Sequence, residues 1–170
     1  YWLAREALGG EGAIADLGSF VGGTAARLLL GMTDGGHRGR VHLFDRFTAD
    51  ERVKAWLLYP AGVQAFEGED AFPVARALLA PFADRLRFHR GDIVTKTWPE
   101  NAGDIALMML DICKLPRVSD IVAQRFLPHL REGAIVVQQG FAAWDQPWTC
   151  VQTLLLTDWL EALARVEDAL

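Results

Sequence analysis

The sequence predicts an α/β fold in which a doubly wound, mostly parallel sheet is covered by helices on both faces. Short apolar segments alternate with amphipathic helical segments along the chain, and the stretch DIALMMLDI (104–112) is apolar almost throughout. Strands covered on both faces have this continuous apolar character. The 170 residues have the length of one domain, so we expect residues 1–170 to form a single unit.

The first elements lie on either side of a group of glycines. The chain opens with YWLAREAL, which has helical character and no initiating Met, so we expect it to be a piece of a longer protein. Residues 12–19 are short, apolar and bounded by glycine, which predicts a strand. Apolar side chains then recur at helical spacing up to Met32, which predicts a helix that begins at Gly22 and Gly23.

A second strand and two helices are expected next. Residues 40–47 alternate polar and apolar side chains, as a strand does, and include Asp45 near the end. Thr48 and Glu51 have the spacing of a capping box, which predicts a helix up to Tyr59, before Pro60. A further helix is expected at 71–83. The second half of the chain continues the alternation, with strands at 85–93, 104–112 and 133–140 and helices at 118–130 and 151–163.

The stretch GAIADLGSFVGGTAARLLL suggests a ligand site at the first strand-to-helix turn. Glycine permits positive φ and lets a ligand approach the backbone, which would explain Gly18, Gly22 and Gly23 together. In the dinucleotide fingerprint G-x-G-x-x-G, the second glycine would stand where this chain has Phe20, and no Gly-Lys-Ser/Thr follows. A cofactor with a sulfonium and an amino-acid end, and no phosphate, therefore fits better than NAD.

Three acids are placed to bind such a cofactor. Asp16 precedes the first glycine by two residues and could hold a cationic amine. Asp45 lies 22 residues after Gly23 and could accept hydrogen bonds from a ribose diol. Asp92 could accept from an adenine amine, with Ile93 packing on the base.

These segments resemble class I S-adenosylmethionine-dependent methyltransferases, especially the macrocin O-methyltransferase-like branch. DLGSFVGGTAA resembles motif I, HLFDRFTADE is similar to the second strand and following loop, and LMMLDICKLPRVSDIVAQRFLPHLREGAIVVQQGF resembles the fourth strand to the fifth. The resemblance covers about residues 12–148. It implies S-adenosyl-L-methionine as cofactor and a hydroxyl of a small acceptor, such as a sugar or natural product, as methyl acceptor. The candidate cofactor-binding residues are Asp16, Gly18, Ser19, Phe20, Gly22, Gly23, Thr24, Asp45, Arg46, Asp92 and Ile93.

The resemblance also implies catalytic residues after the fourth strand. Asp111 matches the first carboxylate of a Mg²⁺ site found in many members, and Lys114 resembles the base of catechol-type enzymes. The second carboxylate is missing, because Gly140 stands where the family commonly has Asp; Asp145 is a candidate substitute. His89 is a second candidate base, whereas His37, His42 and His129 are expected at the surface or in loops. Trp144 and Trp148 either line an acceptor pocket or pack against helices.

Two other functional hypotheses stay open at this point. Gly140 and the lack of a full C-terminal pair of strands favour a protein that keeps the cofactor fold but has lost the chemistry. A nucleotide-dependent oxidoreductase is disfavoured by Phe20 and by the lack of a Tyr-x-x-x-Lys pair.

Composition limits the partners and the compartment. The net charge of −5 comes without a Lys/Arg run, which argues against nucleic acid. The apolar runs are shorter than the roughly 18–20 residues that span a bilayer, which argues against a membrane partner. Cys113 and Cys150 are too few for a disulfide framework, so we expect a cytoplasmic protein. Exposed apolar positions in the first and last helices are compatible with a homodimer.

Overall fold

The structure is a computed structural model that describes residues 1–141, 143 and 147–164. The strands are β1 Ala13–Leu17, β2 Val41–Asp45, β3 Leu86–Arg90, β4 Ile105–Leu110 and β5 Leu130–Gln138. They form one sheet of order β3-β2-β1-β4-β5, and all four pairings are parallel. The helices are α1 Trp2–Glu6, α2 Gly23–Asp34, α3 Glu51–Val53, α4 Phe72–Leu78, α5 Pro116–Arg125 and α6 Pro147–Leu155. The predicted doubly wound parallel sheet is confirmed.

The strand order reverses between β1 and β4, which become neighbours although two strands separate them in the chain. All five residues of β1 are buried, including Asp16, because β2 and β4 flank the strand and helices cover both faces. In an open parallel sheet, the crevice for a ligand lies beyond the carboxyl ends of the strands at such a reversal. The glycine loop that follows β1 therefore lies at the expected position for a ligand.

Two apolar clusters cover the two faces of the sheet. On one face, α2 packs through Leu29 and Met32; on the other, α5 packs through Val122, and Phe126 follows at its end. A smaller third cluster contains Ala49, Leu58 and Ala71 and lies in the segment between β2 and β3. This cluster holds the loop that follows Asp45 against the body of the protein.

Several helix boundaries differ from the predictions. The N-cap of α3 is Asp50, whose Oδ1 accepts the Val53 N–H at 2.7 Å, so the capping box at Thr48 is wrong. The helix continues as a π-helical turn over Lys54–Leu58. The expected helix at 71–83 divides into α4 and a 3₁₀ segment, Ala80–Arg85, because Pro81 has no N–H for an α-helical bond.

The C-terminal elements also differ from the predictions. β5 begins at Leu130, three residues before the predicted start, and α6 ends at Leu155 although helical spacing of apolar residues continues to Leu163. None of the helices in the described part of the chain combines the length and apolar character needed to cross a membrane.

Of the histidines expected at the surface or in loops, one lies in a loop but is buried, and another is buried within a strand. His37 is 3% exposed and bonds to the Gly39 N–H and the Glu11 carbonyl, and His42 is 5% exposed within β2. The prediction was wrong for His42, because it ignored the polar partners that let a histidine be buried. His129 is exposed, as predicted.

Candidate active site

The glycine loop contains two glycines that the protein itself requires and one that it does not. Gly18 and Gly22 have φ of 95° and 91°. A Cβ on Gly18 would lie 2.8 Å from the Asp111 carbonyl oxygen, and one on Gly22 would collide with the Leu79 side chain. A Cβ on Gly23 would meet only Arg27 Nη1, at 3.9 Å, and the φ of Gly23 is not positive. The fold therefore does not require glycine at position 23, and close approach of a ligand would give a reason for glycine there.

Asp45 fixes the loop through two strained backbone positions. Its Oδ2 accepts the Phe20 N–H at 2.9 Å, and its Oδ1 accepts the Phe47 N–H at 2.6 Å. Both phenylalanines are in the left-handed region, with φ of 49° and 56°, where bulky residues are rare. A carboxylate has about four acceptor positions, so about two remain for a ligand diol. Phe20 thus keeps the left-handed backbone that a glycine would supply.

Asp16 is a buried acid with an unsatisfied oxygen. It is 3% exposed, and among the described residues its Oδ2 has no hydrogen-bond partner. Burial raises the pKa of Asp16 to about 7; the carboxylates of Asp45 and Asp111 add to the rise, against an opposing contribution from Ser19. The Ser19 hydroxyl also donates to the Asp16 carbonyl at 2.8 Å, which holds the turn.

Asp111 lies beside the loop at the end of β4. Its N–H donates to the Leu17 carbonyl at 3.0 Å, and its carbonyl packs on Gly18. Its Oδ1 lies 3.2 Å from Lys114 Nζ, with the side chains of Lys114 and Asp111 52% and 39% exposed. This pair faces solvent at the edge where the first loop begins.

Three acids therefore meet at the reversal of the strand order. Asp16 lies near the end of β1, Asp45 is the last residue of β2, and Asp111 directly follows β4. These three strands are neighbours in the sheet, and the charges of Asp45 and Asp111 act on Asp16. Clustered carboxylates create a negative potential that attracts cations and repels phosphate groups. The site fits a cationic ligand and disfavours the pyrophosphate of a dinucleotide.

The other candidate cofactor residues lie around this edge. The Gly91 N–H donates to the Asp45 carbonyl at 2.9 Å, which brings Asp92 beside Asp45. Asp92 caps a short 3₁₀ turn by accepting the Val94 N–H at 3.1 Å, and the following Ile93 is 5% exposed. Arg46 is exposed next to Asp45, and Thr24 is half-buried in the first turn of α2.

His89 is the fourth of the five residues of β3, near the end of the strand as predicted. Its ring stacks on Phe44 at 4.2 Å, and its Nε2 lies 3.0 Å from His42 Nδ1. It also lines a cavity whose other lining residues lie mostly before or at the start of the strands. Its role as a base stays a prediction.

The described residues do not assemble a magnesium site. Within the described ranges, there is no group of three or more His, Cys, Asp or Glu side chains that could hold a metal ion. Asp111 is paired with Lys114, and Gly140 at the end of β5 contributes no side chain. The substitute Asp145 and the neighbouring Trp144 lie outside the described residues. Trp148 lies in α6, 37% exposed.

Sequence reasoning missed Lys54, which organises the loop after α3. This lysine is fully buried, and its Nζ donates to the carbonyls of Phe66 and Gly68 at 3.0 and 2.9 Å and contacts the Glu51 carboxylate. A fully buried lysine needs such partners. Its only signal in the sequence is its position on the inward face of a predicted helix. Lys54 ties the segment 59–70 to α3, close to the third apolar cluster.

The strand order and the site at its reversal define the class I S-adenosylmethionine-dependent methyltransferase fold. Comparison with solved structures bears this out. The calicheamicin methyltransferase CalS11 superposes with a TM-score of 0.66 at 22% identity, covering 98% of this chain and 74% of CalS11. The O-methyltransferase NovP superposes with a TM-score of 0.70 at 14% identity, covering 98% of this chain and 75% of NovP.

These likenesses confirm the fold that the sequence resemblance implied. No protein-family model and no curated protein matches the sequence. The assignment to the macrocin O-methyltransferase-like branch stays a prediction.

Proposed function

We propose that this protein is an S-adenosylmethionine-dependent O-methyltransferase that acts on a hydroxyl of a small acceptor, such as a sugar or natural product. The main support is the convergence of Asp16, Asp45 and Asp111 on a glycine loop at the reversal of the strand order. S-adenosylmethionine is a cation with a vicinal diol and supplies an electrophilic methyl group on its sulfonium. Its chemistry matches an acidic, phosphate-free site.

The cofactor would bind along the carboxyl edge of β1, β2 and β3. Asp16, with its unsatisfied oxygen, attracts the cationic end, and Asp45 accepts hydrogen bonds from the ribose with its remaining acceptor positions. Gly23 leaves open space beside the loop, and Asp92 and Ile93 are placed for the adenine. The remaining candidates, Ser19, Phe20, Gly22, Thr24 and Arg46, shape or border the same loop.

Asp111 and Lys114 would act on the acceptor. Transfer of a methyl group depends mainly on aligning the acceptor oxygen with the electrophilic carbon and on excluding water. Asp111 would orient the acceptor hydroxyl. Lys114 would act in one of two ways once the bound acceptor displaces its water: after losing its own proton to solvent it would take the hydroxyl proton, or as the ammonium it would stabilise the developing oxyanion. The described residues provide no metal site, so no step is assigned to Mg²⁺.

The activities named for two structurally similar proteins support an acceptor of this class. CalS11 is described as a TDP-rhamnose 3'-O-methyltransferase and NovP as an O-methyltransferase. In the present chain, the segment 59–70, held by Lys54, is the candidate determinant of acceptor choice, because it follows the third cluster and borders the cofactor edge.

Calorimetric titration tests the proposal. S-adenosylmethionine and its demethylated product should bind with micromolar affinity, and NAD should not. Asp45→Ala should abolish binding, whereas Asp84→Ala, which removes an exposed acid elsewhere, should not. Because Asp45 also holds two backbone N–H groups, circular dichroism must show that the variant is folded. Absence of binding by folded wild-type protein would refute the proposal.

Methyl transfer from labelled cofactor to small hydroxylated acceptors tests the second half of the proposal. Turnover without added Mg²⁺ would agree with the lack of a metal cluster among the described residues. Cofactor binding without turnover on any acceptor would favour the alternative, a methyltransferase fold that has lost its chemistry.

A further inference from the structure

A polar cavity of about 660 Å³ opens at the amino ends of the strands. Most of its walls come from residues before or at the start of the five strands, which meet at one edge because the sheet is parallel, and His89 borders it from further along β3. Strands rise by about 3.3 Å per residue, so five-residue strands place this edge roughly 16 Å from the glycine loop. The cavity is therefore separate from the proposed methyl-transfer site, and its function does not depend on that proposal.

The cavity has the opposite charge to the rest of the chain. The whole sequence carries a net charge of −5, yet arginines outnumber acids around this opening. The charged lining residues are Arg38, Arg40, Arg87, Arg131, Glu11 and Asp104. The opposite, carboxyl edge collects acids instead, so the two edges would attract ligands of opposite charge.

These arginines are not neutralised by carboxylates. Within the part of the chain that the structure describes, Arg38 and Arg40 have no side-chain hydrogen bond or salt bridge, and Arg87 donates only to the neighbouring Leu86 carbonyl, at 2.6 Å. Arg131 donates to the carbonyls of Glu11 and Leu8, at 3.0 and 2.8 Å. These carbonyls bear no net charge, so the positive charge of each guanidinium is not neutralised by its hydrogen bonds.

A buried histidine in the wall lies close enough to these arginines to be affected by their charge. His42 is 5% exposed, and burial lowers its pKa to about 4, with further contributions from His89, Arg87 and Arg40. Like charges that share a cavity repel, so an anion bound among these arginines would lower the electrostatic energy. The negative charge that balances this group of arginines would therefore come from a bound anion.

We propose that this cavity is a second binding site, for a small molecule that carries a phosphate or diphosphate group. The planar guanidinium forks of Arg40 and Arg87 would contact the phosphate oxygens in paired hydrogen bonds, and Arg38 would close the site from the loop before β2. The volume lies in the range of pockets that enclose a nucleotide-sized molecule. A bound phosphate would supply the negative charge that the four arginines lack.

Calorimetric titration with inorganic phosphate, pyrophosphate and a nucleoside diphosphate, at constant ionic strength, tests this proposal. We expect saturable binding, with the diphosphates at least about tenfold tighter than inorganic phosphate, because more oxygens meet the guanidinium groups. The double variant Arg40→Gln/Arg87→Gln should weaken the affinity by roughly a hundredfold, about tenfold for each charged partner removed. The exposed Arg52→Gln is the matched control and should bind as wild type does.

The outcomes distinguish a nucleotide from a diphosphate group alone, and they test this cavity separately from the proposed cofactor site. Tighter binding of the nucleoside diphosphate than of pyrophosphate would identify a nucleotide; equal binding would identify the diphosphate alone. Should the double variant misfold, Arg38→Gln in the exposed loop provides the same test. Equal affinity in wild type and in a folded Arg40→Gln/Arg87→Gln variant, or no saturable binding to wild type, would overturn the proposal. S-adenosylmethionine affinity, measured on the same variant, should not change.

Discussion

Replacing Asp16 with Asn should change how the stability of the protein depends on pH. In the unfolded chain, this carboxyl titrates near its ordinary pKa of 3.8, whereas burial raises the pKa to about 7 in the folded protein. Between these values, the folded state keeps a proton that the unfolded state releases, so the wild-type protein loses stability as pH rises. Asn cannot titrate, and the variant should not show this loss.

The size of the effect follows from the two pKa values. One pKa unit corresponds to about 1.4 kcal/mol, so a rise from 3.8 to about 7 corresponds to roughly 4 kcal/mol. Urea unfolding of both proteins between pH 4 and pH 8 measures it. From pH 4 to pH 8, the free energy of unfolding of Asp16→Asn should rise by roughly 4 kcal/mol relative to that of the wild type. The buried amide adds a cost that does not vary with pH, so it does not affect this difference. A difference between the two proteins that does not vary with pH would refute this account of Asp16.

Cofactor binding provides a second readout of the same residue. A cation beside Asp16 stabilises its carboxylate, so binding of S-adenosylmethionine should release a proton and become tighter as pH rises towards 7. In Asp16→Asn, binding should be weaker and should lose this pH dependence. Calorimetry in buffers of different ionisation enthalpy counts the protons released, and a wild-type count of zero near pH 6 would contradict the reasoning.

Two further substitutions separate the roles of individual residues. Gly23→Ala should leave the free energy of unfolding unchanged or raise it by about 0.5–1 kcal/mol, since alanine favours the helix. The same variant should bind S-adenosylmethionine at least about tenfold more weakly. Gly22→Ala should instead destabilise the fold, because its Cβ would collide with the Leu79 side chain. Unchanged affinity in Gly23→Ala would show that no ligand passes there. Lys114→Met should lower kcat by about 10²- to 10⁴-fold without changing cofactor Kd. Recovery of kcat by Lys114→Arg would indicate that the charge, and not proton transfer, is what catalysis needs, because arginine stays protonated.

The sheet could be predicted from the sequence because its signals are local. β4 is apolar throughout, and β1 is a short apolar run before glycine, so each strand is visible without knowledge of its neighbours. The strand order itself was not predicted, because right-handed parallel crossovers are compatible with several orders and only the structure shows which strands are neighbours. The acids, like the strands, were predictable from local signals, since they stand at strand ends.

One error was local, and the others arose where contacts between distant segments decide the structure. Asp50 competes with Thr48 for the cap of α3, and only the backbone geometry shows which side chain reaches the free N–H. His42 is buried because His89, 47 residues later in the chain, offers it a hydrogen-bond partner. Lys54 is buried because Phe66 and Gly68 present carbonyl groups to it. Such partners have no fixed spacing in a sequence.

Asp45 shows why a site and the loop that forms it cannot be separated here. The sequence assigns Asp45 to a ribose, by its distance from the glycines, whereas the structure shows both of its oxygens holding backbone N–H groups of left-handed phenylalanines. A cofactor diol that binds the remaining acceptor positions would therefore contact the group that maintains the loop conformation. Because each partner orients the carboxylate for the other, cofactor binding should stabilise the strained turn at Phe20. This coupling gives a physical reason for an acid at this position beyond its affinity for the ribose alone.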